Sequence, residues 1–196
     1  MSAAIIQCDD FGITPSVSNG IVRALGAHAA TSTSVMANLV ADAELGALRT
    51  VASRTGVHLN LTLGRPLTPA ASLAPLLDAA GEFSGLRVIF KALLTARLPL
   101  AAIRCEWQAQ IERVRDAGLT VIALDGHQHV HWFGPLAEVA AELAQEFAVE
   151  RIRAPRHVIG NRLELRTLAR ALLARAPPRS SCSTARARRR RCSTSR

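Results

Sequence analysis

Hydrophobic and polar positions along this chain follow two periods in turn, one typical of strands and one typical of helices. Short apolar runs rich in β-branched residues predict five strands, at residues 3–8, 32–39, 56–62, 120–124 and 151–154. Apolar residues at helical spacing predict helices at residues 15–25, 41–54, 100–117, 135–147 and 162–175. Successive βα units of this kind predict an α/β fold with a parallel sheet and right-handed crossovers.

Residues 64–99 interrupt this alternation. Prolines and glycines break the pattern throughout the segment, and only residues 86–94 predict a helix. Long irregular segments in compact domains tend to carry function. We therefore interpret residues 64–99 as an insertion over the functional site, acting as a lid or a substrate-binding arm.

The third predicted strand has one apolar and one polar face. Alternation places His58, Asn60 and Thr62 together on the polar face. Buried polar groups cost free energy unless they are hydrogen-bonded, so this face is expected to line a cleft or the mouth of a barrel. The alternative is an edge strand whose polar face is simply wet.

Three histidines follow the fourth predicted strand at every second position: His127, His129 and His131. In an extended segment such residues point to one side, where their ring nitrogens can converge. Asp125 lies beside them, and the ends of parallel strands are where active sites of α/β proteins lie. The alternative is a surface loop with solvated histidines.

The polar clusters suggest a chemistry when they are placed on the predicted sheet. Asp9 and Asp10 form a polar turn after the first strand, His58 lies on the third, and the histidine triplet follows the fourth. One carboxylate and two imidazoles from separate strands indicate a catalytic rather than a structural metal site. The second carboxylate is then free to act as general base in metal-assisted hydrolysis.

The net charge of +9 is concentrated at one end of the chain. Residues 1–164 carry 14 basic and 15 acidic residues, whereas residues 165–196 carry 10 arginines and no acid. The globular part therefore has no nucleic-acid-binding signature. Residues 176–196 form an Arg/Ser-rich tail that we expect to be disordered.

No apolar run is long enough to span a membrane, and the N-terminus lacks the pattern of a signal peptide. We therefore expect a cytoplasmic protein with no transmembrane segment.

Three motifs together closely resemble the YdjC-like carbohydrate deacetylases, in particular members associated with hopanoid biosynthesis. They are Cys8-Asp-Asp-Phe-Gly12, Gly56-Val-His-Leu-Asn-Leu-Thr-Leu-Gly-Arg-Pro-Leu67 and Asp125-Gly-His-Gln-His-Val-His131. The resemblance covers about residues 3–158 and implies a distorted (β/α) barrel. It also implies a divalent metal, magnesium or zinc, and removal of acetyl groups from N-acetylated sugars.

Position by position, the resemblance assigns Asp10, His58 and His127 to the metal and makes Asp9 the catalytic base. The other candidates are expected to support these ligands or to contact the acetylated amino sugar. They are Asn60, Thr62, Asp125, His129, His131 and Arg153. Asp125 in particular is a candidate for holding a metal-bound histidine through its second nitrogen.

The chain departs from the family at its C-terminus, where family members continue with further βα units. We expect a deacetylase-like domain at residues 1–175 whose barrel is incomplete, as a frameshift or gene decay would produce. Open sheet edges and exposed apolar surface favour aggregation or dimerisation, so a homodimer is one of the expected outcomes and the oligomeric state stays open. Three readings compete with deacetylation: a non-catalytic metal-binding remnant, nucleic-acid binding through the basic tail, and a different hydrolase on the same site, such as a phosphoesterase or an amidohydrolase of other amides.

Overall fold

The computed structural model describes residues 5–153, which form one five-stranded parallel sheet covered by helices. The strands are β1 (Gln7–Phe11), β2 (Ser32–Val35), β3 (Arg54–Leu59), β4 (Thr120–Gly126) and β5 (Arg151–Ile152). Each strand pairs with the next one in the sequence, all in parallel. The predicted α/β class and parallel sheet are confirmed, and this sequential order is also the order of strands in a (β/α) barrel.

Six helices connect the described strands: α1 (Pro15–Gly26), α2 (Asp42–Val51), α3 (Ala70–Leu73), α4 (Leu86–Leu94), α5 (Leu100–Asp116) and α6 (Pro135–Glu146). Helix α1 begins where the sequence predicts. The Thr14 hydroxyl accepts a hydrogen bond from the Val17 N–H at 3.3 Å, and Pro15 occupies the first turn. Among these helices, none has the length and apolar character needed to cross a membrane.

The core lies between the sheet and the helices. Val57, Leu59 and Leu124 on the central strands are fully buried, as are Trp107 and Ile111 on α5. Each such side chain contributes roughly 1.5–3 kcal/mol by leaving water. Helix α5 packs on β3 and β4, so the two strands that carry His58 and Asp125 are held by the core.

The two aspartates lie inside β1, so the predicted polar turn at Asp9 and Asp10 is wrong. The strand is irregular between Cys8 and Phe11, and Asp10 has a φ of 65°. A regular strand would send consecutive side chains to opposite faces. The irregularity instead lets both carboxylates reach the same edge of the sheet.

The histidine segment is not extended as predicted. Strand β4 continues through Gly126, and residues His127–Trp132 then form a tight 3₁₀ turn with Gln128 and His129 in the left-handed region at φ 53° and 58°. The three histidines therefore do not share a face. His127 lies at the sheet edge, His129 is exposed, and His131 is buried.

Strand β3 ends at Leu59 rather than residue 62 because Asn60 starts a side-chain-stabilised turn. Its Oδ1 accepts hydrogen bonds from the N–H groups of Thr62 and Leu63 at 2.9 and 3.2 Å. The predicted insertion at 64–99 contains the predicted helix, now α4, together with α3 and an antiparallel bridge between Leu77 and Phe83. The predicted helix at 162–175, the domain end at 175 and the tail at 176–196 lie outside the described residues.

Candidate metal centre

Three side chains, two from strands and one from the turn after a third strand, converge at the carboxyl edge of the sheet. Asp10 comes from β1, His58 from β3, and His127 from the turn after β4. Asp10 Oδ1 lies 3.1 Å from His58 Nε2 and 2.9 Å from His127 Nδ1, and the three potential ligand atoms all lie within 4.8 Å of one another. The structure thus brings together the three residues that the family resemblance assigned to a metal.

The hydrogen bonds around His58 test whether this cluster fits a cation. Asp125 Oδ1 lies 2.7 Å from His58 Nδ1, and the strand register places these two residues side by side. In the tautomer that donates the Nδ1 hydrogen to Asp125, His58 Nε2 presents a lone pair to a carboxylate oxygen of Asp10. Two such acceptors repel each other unless a proton or a cation lies between them. The donor set of one carboxylate and two imidazoles fits a divalent metal.

The charges around His58 also favour a bound cation. Burial by itself would lower the pKa of His58, but the hydrogen bond and charge of Asp125, together with the charges of Asp10 and Asp9, outweigh burial and raise it. A raised histidine pKa reports a negative local potential. That potential also attracts a metal cation, and a bound proton would compete with the metal for the same nitrogen.

Asp9 lies beside this cluster with its own partners. Its Oδ2 is 2.5 Å from Arg153 Nη1, and its Oδ1 accepts a hydrogen bond from Gln7 Nε2 at 2.9 Å. Burial would raise the pKa of Asp9, but the Arg153 and Gln7 hydrogen bonds and the Arg153 charge hold it below its usual value. Asp9 is therefore ionised at neutral pH and able to accept a proton.

A second group of potential ligands, formed by Asp9, His58 and Asp125, shares His58 with the first. Its carboxylates already have cationic or donor partners: Arg153 Nη1 lies 3.5 Å from Asp125 Oδ2, and Gln7 Nε2 lies 2.6 Å from the same atom. Asp10 has no such donor among the described side chains apart from the two histidines. The cluster around Asp10 is therefore the better cation site.

Arg153 is itself held from two sides. Its N–H donates to Leu124 O at 2.9 Å, and its carbonyl accepts from His131 Nε2 at 3.1 Å and from Trp132 Nε1 at 2.6 Å. The turn that begins at His127 thus fixes the backbone of the arginine that pairs with Asp9. The Arg153 side chain itself is half-exposed.

The remaining predicted site residues are placed less directly. Asn60 and Thr62 are buried, and the Asn60 amide donates to Asn38 Oδ1 and Leu63 O, so its hydrogen bonds organise the turn after β3. His129 is exposed, with its ring centroid 6.4 Å from that of His131. Contact of these residues with a sugar stays a prediction.

Two supporting residues were missed by the sequence analysis, Gln7 and Ser34. Gln7 bridges Asp9 and Asp125, while the Ser34 hydroxyl donates to Asp125 Oδ2 at 3.0 Å and lies 3.2 Å from His58 Nδ1. Gln7 is two positions before Asp9, so strict alternation along β1 was a signal that could have revealed it. Ser34 offered no comparable signal because Ser32, Thr33 and Ser34 are all small polar residues.

Gly126 provides space for the turned-back His131 ring. A Cβ added at Gly126 would lie 2.5 Å from His131 Nδ1 and 3.1 Å from its Cγ. We expect Gly126→Ala to lower the free energy of unfolding by about 1–3 kcal/mol because the ring must move. Urea denaturation checks this, with Gly46→Ala as the control, since nothing lies within 4 Å of a Cβ added there. Equal stability of the two variants would contradict the packing described.

The buried His131 is expected to make the stability of the fold sensitive to acid. Burial lowers its pKa to about 4, although the hydrogen bond to the Arg153 carbonyl and the charge of Asp125 act in the opposite direction. His131 has a higher pKa in the unfolded chain than in the folded one. As the pH falls, the unfolded chain therefore binds a proton at His131 before the folded chain does. Stability is therefore retained above pH 6.5 and lost as the pH falls toward 4. We expect His131→Gln to reduce this loss by about 2–3 kcal/mol, measured by urea denaturation at pH 7 and pH 4; identical pH dependence would contradict it.

Comparisons with known proteins identify the chain's relatives. The family model for YdjC-like proteins matches residues 3–194. A carbohydrate deacetylase of Oceanobacillus iheyensis is 37% identical over 146 residues, covering 74% of this chain and 61% of that protein. A mouse carbohydrate deacetylase is 36% identical over 154 residues, covering 77% of this chain and 50% of that protein. The chain thus spans about half to three fifths of the length of these curated relatives.

A solved structure shows the same fold. It is an Enterococcus faecalis protein described as a candidate cellobiose-phosphate cleavage protein, with a TM-score of 0.70 and 29% sequence identity. The match covers 86% of this chain and 64% of that one. A solved structure of a similar protein therefore has the same parallel α/β architecture.

Proposed function

The chain belongs to the YdjC-like protein family, and from that premise we propose that it is a metal-dependent deacetylase of acetylated amino sugars. The observation that carries the proposal is the convergence of Asp10, His58 and His127 beside an ionised Asp9. Relatives named carbohydrate deacetylases support the choice of an acetylated carbohydrate as the target.

Asp10, His58 and His127 would hold a divalent metal, with magnesium or zinc as candidates. Such an ion, when bound, supplies a Lewis acid for the amide carbonyl and lowers the pKa of a water molecule. Asp125 orients His58 through the 2.7 Å contact to its Nδ1, so that Nε2 faces the metal position.

Asp9 is the proposed general base. It is ionised because Arg153 and Gln7 hold its pKa low, and it lies beside the metal ligand Asp10 in the sequence. In hydrolysis it takes a proton from the attacking water, and a proton must reach the sugar nitrogen when the C–N bond breaks. The products are acetate and a free amino sugar. We propose an acetylated oligosaccharide or the sugar headgroup of a lipid as the substrate.

The test is product analysis with the full purified chain and added magnesium or zinc. Candidate substrates are N-acetylglucosamine oligomers, an N-acetylglucosaminyl lipid, an N-acetylated peptide and an aryl phosphate. We expect acetate and free amine in equal amounts from the sugars only. Release of phosphate, or of acetate from the peptide alone, would assign the site to a different hydrolase. Metal binding with no product from any substrate would indicate a non-catalytic protein.

A further inference from the structure

Helix α4 presents an apolar surface to solvent. Phe90 is 40% exposed. Leu94 is 85% exposed, and it is the most exposed large hydrophobic residue among residues 5–153. The two residues are four positions apart and therefore lie one above the other on the same side of the helix. Exposing a leucine to this extent at a helix end leaves apolar area that a partner can bury.

Cations flank this apolar surface. Arg87 and Lys91, also four positions apart, are exposed on α4, and Arg97 is exposed just beyond it. Residues 83–105 carry four basic residues and no acid. One of the four, Arg104, forms an ion pair with Glu146, whereas Arg87, Lys91 and Arg97 make no ion pair with any acidic side chain among residues 5–153.

Helix α4 is anchored through its opposite side and through one edge of the exposed surface. Ile89 and Ala92 on the opposite side are buried. At the edge of the exposed surface, the partly exposed Phe90 ring lies 4.8 Å from the Phe133 ring, centroid to centroid. Phe133 directly follows the His127–Trp132 turn that carries the ligand His127. The exposed surface therefore lies on an element that packs against the loop of the site.

We infer that this surface, formed by Phe90, Leu94, Arg87, Lys91 and Arg97, docks the protein on an anionic lipid membrane. A short helix with exposed aromatic and leucine side chains bordered by cations is suited to lie in the plane of the interface. Its apolar residues enter the headgroup region, while its cations contact anionic headgroups. Nine residues span only about 14 Å, so the helix lies on the membrane rather than across it.

Charge separates this partner from two others. A second copy of the chain docked by a two-fold axis would bring the same cations face to face, which is unfavourable. A nucleic acid would use the cations but would leave Leu94 in water. An anionic bilayer satisfies the cations and the apolar residues together. This inference rests on α4 alone and does not depend on the reaction proposed above.

Vesicle flotation with the full chain tests the inference. Vesicles of phosphatidylcholine alone are compared with vesicles that also contain phosphatidylglycerol. We expect binding to the anionic vesicles only, reduced about tenfold or more by Leu94→Ser. We expect a reduction of about fivefold for each cation removed in Arg87→Gln/Lys91→Gln. The matched controls, Leu63→Ser and Arg23→Gln/Arg49→Gln, alter exposed residues on other elements.

All variants retain the arginines of residues 165–196, so the comparison isolates α4 from that segment. Equal binding of Leu94→Ser and the wild type would overturn the inference and assign lipid binding to the arginine-rich segment. A second readout is Leu94→Trp, whose emission should shift to the blue on anionic vesicles, unlike that of Leu63→Trp. No shift overturns the inference, as does concentration-dependent dimerisation that Leu94→Ser abolishes while vesicle binding is unchanged.

Discussion

Asp9→Asn is expected to lower kcat/KM for acetate release about 10²–10⁴-fold, the range for loss of a general base. Asparagine keeps the shape of the side chain but cannot take a proton from water. It also cannot form the ion pair with Arg153 that holds Asp9 in place. Metal affinity should change little, because Asp9 is not one of the three proposed ligands, Asp10, His58 and His127.

The matched control is Asp116→Asn, which removes an exposed carboxylate at the end of α5. It should retain wild-type activity. Loss of metal binding in Asp9→Asn would mean that Asp9 is a ligand, and unchanged activity would mean that it is not the base. Arg153→Gln adds a separate readout: because Arg153 lowers the pKa of Asp9, its removal should move the acid limb of the rate profile to higher pH.

His127→Asn is expected to weaken metal binding more than about 100-fold, because even the loss of a residue that only supports a ligand costs about 10–100-fold. His127 Nδ1 lies 2.9 Å from Asp10 Oδ1, within the proposed ligand set. Isothermal titration of the metal-free chain with zinc measures the affinity, and acetate release should fall in parallel. The fold should survive because His127 lies at the partly exposed sheet edge.

The neighbouring His129→Asn is the control for this prediction. His129 is exposed and has a φ of 58°, a conformation that asparagine adopts readily. We expect wild-type metal affinity for this variant. Equal loss of affinity in both variants would show that the whole turn, rather than one ring nitrogen, holds the ion. Loss in His129→Asn alone would reverse the assignment.

The sequence was sufficient to predict the layered fold and the grouping of the site. The alternation between strand and helix periods of hydrophobic residues predicted the order of the elements. Each strand or helix of a βα unit buries one side in the core, and that burial imposes the period on its sequence. The same pattern placed the carboxylates of β1, His58 and the histidine segment at one sheet edge, where Asp10, His58 and His127 in fact meet. Selecting His127 from the triplet required the family resemblance.

Backbone departures from regular geometry could not be predicted in this way. Asp10, Gln128 and His129 all have positive φ values, and such conformations are imposed by contacts between distant segments rather than by local propensity. The supporting hydrogen bonds have the same origin. Gln7 and Asp125 are separated by 118 positions, and only the completed sheet brings them within 2.6 Å.

The most direct test of the central claim measures acetate release after metal is returned to the protein. The chain is first stripped of metal with a chelator and then titrated with magnesium or zinc, with N-acetylglucosamine oligomers as the substrate. Bound metal is measured on the same samples. The account predicts no release from the stripped chain, with activity rising in proportion to the first equivalent of bound metal. Full activity in the stripped chain would contradict it, as would activity unrelated to the amount of metal bound.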